Sequence, residues 1–253
     1  MVIDNFLNLC YSQYMDKFIF DVDGTLTPSR SKMDNEFKSW FLGFAKTNDV
    51  YLVTGSDRAK TIEQVGESVY HRCKRVYNCS GNDVWEGANN VQTNKWKLPS
   101  LARTFLISCE YESDFSIRTG NHIEERPGMV NFSVVGRNAD ANQRAAYVTF
   151  EEQNSERIKI ASAFNTMFPD LQATVGGETG IDIAPKGADK SQIVKDFDSE
   201  DHIVFFGDAI FEGGNDWPLA LELTNRNVNY NCHKVNSWQE TWKILKNLVD
   251  KIN

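Results

Sequence analysis

Four short runs punctuate the two ends of the chain: Lys17 to Phe20, Val50 to Val53, Arg75 to Tyr77 and Ile203 to Phe206. Near-continuous apolar strands of this length suit a parallel sheet covered on both faces. Between the first two runs, Phe37, Trp40, Phe41 and Phe44 recur at helical spacing over Met33 to Thr47. Between the second and third, Ile62, Val65 and Val69 do the same over Arg58 to Arg72. Strand, helix, strand, helix, strand predicts the βαβ units of a doubly wound sheet. Leu219 to Leu223 and Trp238 to Leu248 read as helices that close the same core.

The texture changes from about Asn90 to Ala184, where strand-like and helical pieces alternate. Met129 to Val135 reads as a half-buried strand. Glu151 to Phe168 reads as a helix, with Ile158, Ile160, Ala161, Phe164 and Phe168 on overlapping apolar faces. Gln172 to Val175 and Ile181 to Ile183 read as strands flanking a Gly176-Gly177 turn. The fold expected is α/β: a doubly wound parallel core from residues 1–89 and 187–253, with an inserted α+β unit at 90–186.

At 253 residues the chain holds one large domain or two small ones. A net charge of -8 argues against a nucleic-acid partner and against an anionic membrane. No apolar run approaches the ~20 residues of a spanning helix. The first fifteen residues carry no Lys or Arg, so they do not read as a signal peptide. Five cysteines, odd in number and without a Cys-x-x-Cys pair, favour reduced thiols and a cytoplasmic setting. The four histidines show no metal-ligand spacing. Met15 stands just before the first strand, so residues 1–14 are expected to be a dispensable extension or a mis-assigned start.

Three of the four runs end in polar signatures, where ligands of doubly wound sheets bind. The first runs into Asp21-Val22-Asp23-Gly24-Thr25. Two carboxylates at the end of a buried strand are costly unless they hold a metal or attack a substrate. With a divalent cation nearby, Asp21 can attack phosphorus and Asp23 can move the proton. The second run ends in Thr54-Gly55-Ser56-Asp57, whose hydroxyls and amides can hold a phosphoryl group. Thr54 and Ser56 are equal candidates, and Ser56 or Asp57 could instead cap a helix. The fourth ends in Gly207-Asp208, and Asp208 could meet Asp21 across the sheet to complete an oxygen-rich Mg²⁺ site. Lys190, after Asp189 at an expected helix start, can neutralise Asp21 and phosphoryl oxygens.

The Asp-x-Asp-Gly-Thr string resembles the nucleophile motif of the haloacid dehalogenase (HAD) phosphotransferases. That resemblance implies a HAD-like core with a cap, an aspartyl-phosphate on Asp21 and acid/base work by Asp23. It also implies a charge-neutralising Lys190 and a Mg²⁺ site drawn from Asp21, Asp23, Asp208, Asn215 and Asp216. Here six residues, Ala209 to Gly214, separate Asp208 from the Asn-Asp pair. A narrower resemblance lies in Arg126-Pro-Gly-Met-Val-Asn131-Phe-Ser-Val-Val-Gly-Arg137, with Arg144 seven residues on. It is similar to the cap signature of eukaryotic-type phosphomannomutases. Leu26-Thr27-Pro28-Ser29-Arg30 and Gly176-Gly177 to Lys190 match further stretches of that family.

The narrower resemblance implies that Arg126, Arg137 and Arg144 hold a phosphate remote from the reacting one. Arg30 would stand at the core–cap seam, and Asn131 and Asp182 would touch the sugar. It implies interconversion of mannose 6-phosphate and mannose 1-phosphate, supplying GDP-mannose synthesis. The implied activator is a hexose 1,6-bisphosphate of glucose or mannose. A small-molecule sugar phosphate is the implied partner, with a homodimer formed through the cap. Two positions depart from the family pattern. Gly180 replaces its usual Ser, with Thr179 next door as a substitute hydroxyl, and Thr54 replaces a Gly, as in HAD sugar phosphatases. They keep open the alternative expectation, a Mg²⁺-dependent sugar phosphatase on the same scaffold.

Overall fold

The computed structural model describes residues 16–226 and 229–252, and the expectation for residues 1–14 lies outside them. In chain order come β1 (Lys17–Phe20), α1 (Asn35–Thr47), β2 (Asp49–Val53), α2 (Arg58–Val65), α3 (Glu67–Tyr70), β3 (Arg75–Asn78), β4 (Asp83–Glu86) and β5 (Asn89–Thr93). Then follow α4 (Ser100–Glu112), β6 (Ile123–Arg126), β7 (Met129–Phe132), α5 (Ala141–Asn154), α6 (Glu156–Met167), β8 (Leu171–Gly176) and β9 (Gly180–Pro185). A 3₁₀ helix (Lys190–Asp196), β10 (His202–Gly207), α7 (Trp217–Asn225), β11 (Asn229–Lys234) and α8 (Trp238–Ile252) complete the chain.

A seven-stranded sheet has the order β11-β10-β1-β2-β3-β4-β5. Its strands from β11 to β3 are parallel, and β4 and β5 add an antiparallel edge. β1 lies at the centre, covered on both faces, which is why it shows no alternation. Phe18 and Phe20 pack with Phe41, Phe44 and Phe206 on one face, while Ile19 packs with Val53, Tyr77 and Phe205 on the other. The phenylalanines of α1 fill the first face, with Phe41 edge-on to Phe20 at 5.3 Å between ring centres. Asp34 starts that helix by accepting from the amides of Glu36 and Phe37.

The second sheet has the order β6-β7-β9-β8 and is antiparallel. Period-two alternation sends Val130, Phe132, Ile181 and Ile183 against Leu106, Tyr147 and Phe164 of the helices. Asn131 and Asp182, paired across β7 and β9, therefore point to the opposite face. The α/β class and the inserted second sheet match the sequence expectation.

Several elements differ from that expectation. The helix expected over Arg58 to Arg72 breaks at Gly66, whose φ of 81° ends α2. The one expected over Glu151 to Phe168 is two helices that meet at Ser155, φ 50°. The strand expected to reach Val135 ends at Phe132, and a turn closed by Gly136 N–H to Ser133 O follows. The expected division at residues 89 and 90 falls within β5, which pairs with β4 at the edge of the larger sheet. Among the described residues no helix is long and apolar enough to cross a membrane. Cys73, Cys79, Cys109 and Cys232 are free thiols.

Candidate active site

The carboxyl ends of β1, β2 and β10 face the open side of the smaller sheet across a cleft of about 720 Å³. Its lining includes Asp21, Asp23, Arg30, Thr54, Ser56 and Asp208 from the larger sheet's side. Arg126, Asn131, Arg137, Arg144, Thr179 and Asp182 line it from the other. Asn215 lines it too, whereas Lys190 and Asp216 lie fully buried beneath its floor.

The floor is an acid cluster around one ammonium. Asp21, Asp208 and Asp216 each offer a carboxylate oxygen, all within 4.8 Å of one another. Lys190 Nζ donates to Asp21 Oδ1 at 2.6 Å and to Asp216 Oδ1 at 2.7 Å. Asp189 caps the 3₁₀ helix through the Ser191 amide, which sets Lys190 at its first residue. Asp216 Oδ2 accepts from the Ala209 amide at 3.0 Å and so closes the long Ala209 to Gly214 loop. Two glycines make room: a Cβ at Gly24 would collide with the Asp208 carboxylate, and one at Gly207 would lie 2.6 Å from Asp216 Oδ2.

One ammonium cannot neutralise three carboxylates. Burial alone would lower the Lys190 ammonium, but Asp21 and Asp216 outweigh it and hold it well above its ordinary value. Burial raises the Asp21 carboxyl well above its usual range against the pull of Lys190, and Asp216 and Asp208 add to the rise. Burial and the neighbouring Asp216 push Asp208 up to about 6. Concentrated oxygen donors with surplus negative charge fit a hard divalent cation. Asp21 and Asp208 would hold it, with Asp216 alongside.

Asp23 stands outside this group. Its Oδ1 accepts from the Arg30 amide at 2.5 Å and from Gln64 Nε2 at 2.8 Å, and its Oδ2 from Ser56 Oγ at 3.5 Å. The carboxylate thus lines the cleft, held by these three donors, outside the close cluster of Asp21, Asp208 and Asp216. Thr54 Oγ1 accepts from the Ser56 amide at 3.1 Å, so it braces the loop while Ser56 Oγ faces Asp23. Asp57, not Ser56, caps α2 by accepting from the Lys60 amide.

The opposite wall is basic. Arg126 donates to Gly55 O at 2.6 Å and to Glu124 at 2.9 Å, and its buried Nε has no partner. Arg137 donates to the same Glu124 oxygen at 2.5 Å, and Arg144 pairs with Glu178. Arg30 reaches toward them from the floor. Burial, with Arg137 and Arg144 facing it, lowers the Arg30 guanidinium to about 10. Burial and Arg126 likewise lower Arg137. Guanidinium groups crowded on one wall, with Arg30 and Arg137 held below their ordinary values yet still charged, suit a multiply charged anion.

Asn131 Nδ2 donates to Asp182 Oδ1 at 2.7 Å, and Asn131 Oδ1 is buried without a partner. A Cβ at Gly180 would lie 2.6 Å from Asn131 Nδ2, so Asn131 fills the space that a serine there would need. Thr179 is buried beside it. Besides Glu124 and Glu178, two further contributors are not anticipated from sequence. Gln64 orients Asp23, and Arg157 props the β8–β9 turn by donating to Gly177 O at 2.9 Å.

The sequence profile of a family described as "Eukaryotic phosphomannomutase" matches residues 38–251. The chain is 30% identical over 243 residues to a phosphomannomutase of Saccharomyces cerevisiae, covering 92% of this chain and 93% of that one. It is 31% identical over 240 residues to one of Galdieria sulphuraria, covering 92% and 94%. Among solved structures it resembles the trehalose-6-phosphate phosphatase C-terminal domain of C. albicans. That match has a TM-score of 0.60 at 16% identity, over 89% of this chain and 80% of that one. An N-terminally truncated Plasmodium falciparum IMP-nucleotidase matches with a TM-score of 0.61 at 16% identity, over 92% and 69%. Such structural likenesses speak for the shared fold, and the sequence relatives speak for the family. The chain belongs to the eukaryotic phosphomannomutase family.

Proposed function

We propose that this protein is a phosphomannomutase that interconverts mannose 6-phosphate and mannose 1-phosphate through a phosphoryl group carried on Asp21. In this reading the larger sheet is a catalytic core and the smaller sheet a cap. The carrying observation is that one cleft joins the Asp21 acid cluster to a facing group of arginines. A sugar with a phosphate at each end matches both walls.

Loading consumes a hexose 1,6-bisphosphate of glucose or mannose. An Asp21 oxygen forms a bond to phosphorus, the bond from phosphorus to the sugar oxygen breaks, and Asp23 protonates the departing oxygen. A monophosphate then binds with its phosphate on Arg126, Arg137 and Arg144. Asp23 takes the proton from its free hydroxyl as that oxygen attacks the phosphoryl group on Asp21. The bisphosphate formed turns end for end, and its other phosphate returns to Asp21. Lys190 neutralises Asp21 and the transferring oxygens throughout. Arg30 stands at the core–cap seam, while Thr54 and Ser56 steady the phosphoryl loop. Asn131, Thr179 and Asp182 face the sugar. A Mg²⁺ ion on Asp21 and Asp208, supported by Asp216 and Asn215, would neutralise charge between nucleophile and phosphate.

The same reading carries a cytoplasmic enzyme that supplies GDP-mannose synthesis and associates as a homodimer through the cap. Leu101, Ile107 and Tyr111, all exposed on α4, support that association. To test the function, mannose 1-phosphate, Mg²⁺ and catalytic glucose 1,6-bisphosphate are supplied, and mannose 6-phosphate and inorganic phosphate are followed together. Isomerisation with little phosphate release is expected. Rapid phosphate release without isomerisation would overturn the mutase reading in favour of a sugar phosphatase.

A further inference from the structure

The chain passes between the two sheets twice, once after β5 and once after β9. One buried side chain bonds to both passages. Asn82, fully buried at the end of the turn that follows β3, donates from Nδ2 to Ala188 O at 2.9 Å in the second linker. Its Oδ1 accepts from Asn94 Nδ2 at 2.9 Å, and its carbonyl accepts from the Asn94 amide at 2.7 Å, both in the first linker. Nδ2 also donates to Cys79 O at 2.8 Å, so both amide hydrogens are used.

The turn that presents Asn82 is strained and tightly held. Cys79, Ser80 and Gly81 all adopt positive φ, at 50°, 57° and 90°. Two consecutive non-glycine residues in the left-handed region persist only where their surroundings over-determine them. Here the Cys79 amide donates to Ser56 O and the Ser80 amide to Thr54 O, which ties the turn to the phosphoryl loop. Gln192 Nε2 donates to Ser80 O at 2.8 Å, which ties it to the 3₁₀ helix that begins with Lys190. From the cap, Gly128 sits directly on Asn82: a Cβ there would lie 2.6 Å from Asn82 Oδ1.

We infer that Asn82 is a positioning residue, the pivot on which both linkers turn, so that cap placement and the Lys190–Asp21 pair are set together. The inference rests on the mutase reading for its kinetic consequence. A bisphosphate must turn inside the cleft while water is kept from the aspartyl-phosphate. A cap that swings on two unconnected linkers admits water during that turn. The phosphoryl group then leaves as inorganic phosphate more often.

The test compares wild type with Asn82→Ala and Asn94→Ala, measuring inorganic phosphate released per isomerisation alongside hydrogen exchange at residues 94–99 and 185–189. Asn82→Ala is expected to raise phosphate release per isomerisation on the order of 10-fold or more, a misplacement effect. Both linkers should lose exchange protection together. Asn94→Ala, which breaks only one side-chain bond to the pivot, should shift the ratio in the same direction by less, and it keeps the test open if Asn82→Ala does not fold. A fall in melting temperature with the wild-type ratio and wild-type linker exchange would make Asn82 merely structural and overturn the inference. Absence of isomerisation in wild type would defeat the mutase reading instead. The linker exchange would still decide the pivot.

Discussion

On the floor of the cleft, Asp21, Asp208 and Asp216 surround Lys190. On the roof, Arg126, Arg137 and Arg144 surround Glu124 and Glu178. Each wall gathers like charges and threads a few opposite ones among them, but the two are built to different tolerances. Two floor charges, Asp21 and Asp208, follow the central parallel strands β1 and β10, while Lys190 at the start of the 3₁₀ helix and Asp216 just before α7 are 0% exposed. The roof charges stand on β6 (Glu124 and Arg126), on α5 (Arg144) and in turns (Arg137 and Glu178), with the Glu178 side chain 45% exposed. Dry, rigid carboxylates suit bond making at one fixed point. Guanidinium groups that are mostly buried but paired with more exposed carboxylates suit a phosphate that must arrive, leave and be replaced by another.

That contrast predicts different kinds of damage. Asp21→Asn should lower kcat on the order of 10⁴-fold or more while leaving sugar phosphate binding nearly intact, because it removes the atom that carries the phosphoryl group. Steady-state kinetics together with calorimetric binding would check this. Lys190→Met should cost about 3–5 kcal/mol of stability in urea titrations, because it strands buried carboxylates without a partner. Added Mg²⁺ should restore part of that loss. Arg144→Ala should act on the other wall, raising KM about 10- to 100-fold with a smaller change in kcat, as expected for a lost charged hydrogen bond to a non-reacting phosphate.

The smallest expected effect lies at the far end of the sheet. Burial would raise the Asp49 carboxyl, but hydrogen bonds from Lys17 and Lys74 outweigh it and hold it below its ordinary value. The folded state therefore binds fewer protons at Asp49 than the unfolded chain does. The stability gained is full above the unfolded value and lost as pH falls through the folded one. Asp49→Asn should cost less than about 1 kcal/mol at neutral pH, since Lys74 is largely exposed. The difference from wild type should shrink as pH falls below the ordinary carboxylate range and vanish once the folded Asp49 is protonated, while activity at neutral pH is untouched.

What the sequence disclosed follows the same division. Strands buried on both faces, such as β1 and β10, announce themselves as apolar runs that end in functional strings. β11, Asn229–Lys234, is polar because it is an edge strand, and it escaped notice. β6, Ile123–Arg126, is equally hard to see because Glu124 and Arg126 line the cleft while Glu125 pairs with Lys97 and Arg103 outside it. α4 was hidden by Leu101, Ile107 and Tyr111, whose exposure blurs its amphipathic pattern. Site residues inside contiguous motifs were legible from their spacing. Gln64 and Arg157 were not, for each is an ordinary helical residue whose role comes only from where the fold brings it. Asp23 was expected among the metal ligands. Its engagement by the Arg30 amide and Gln64 became visible only with the turn of Gly24 to Arg30 in place.

The central claim is that Asp21 gives its phosphoryl group to a sugar bound by the roof. It is tested most directly in a single turnover. Enzyme is first labelled with radioactive phosphate from glucose 1,6-bisphosphate, then mixed rapidly with excess mannose 1-phosphate. The account predicts label on Asp21 before mixing, and in hexose phosphate rather than inorganic phosphate after it. Label that never appears on Asp21, or that leaves wholly as inorganic phosphate, would contradict it.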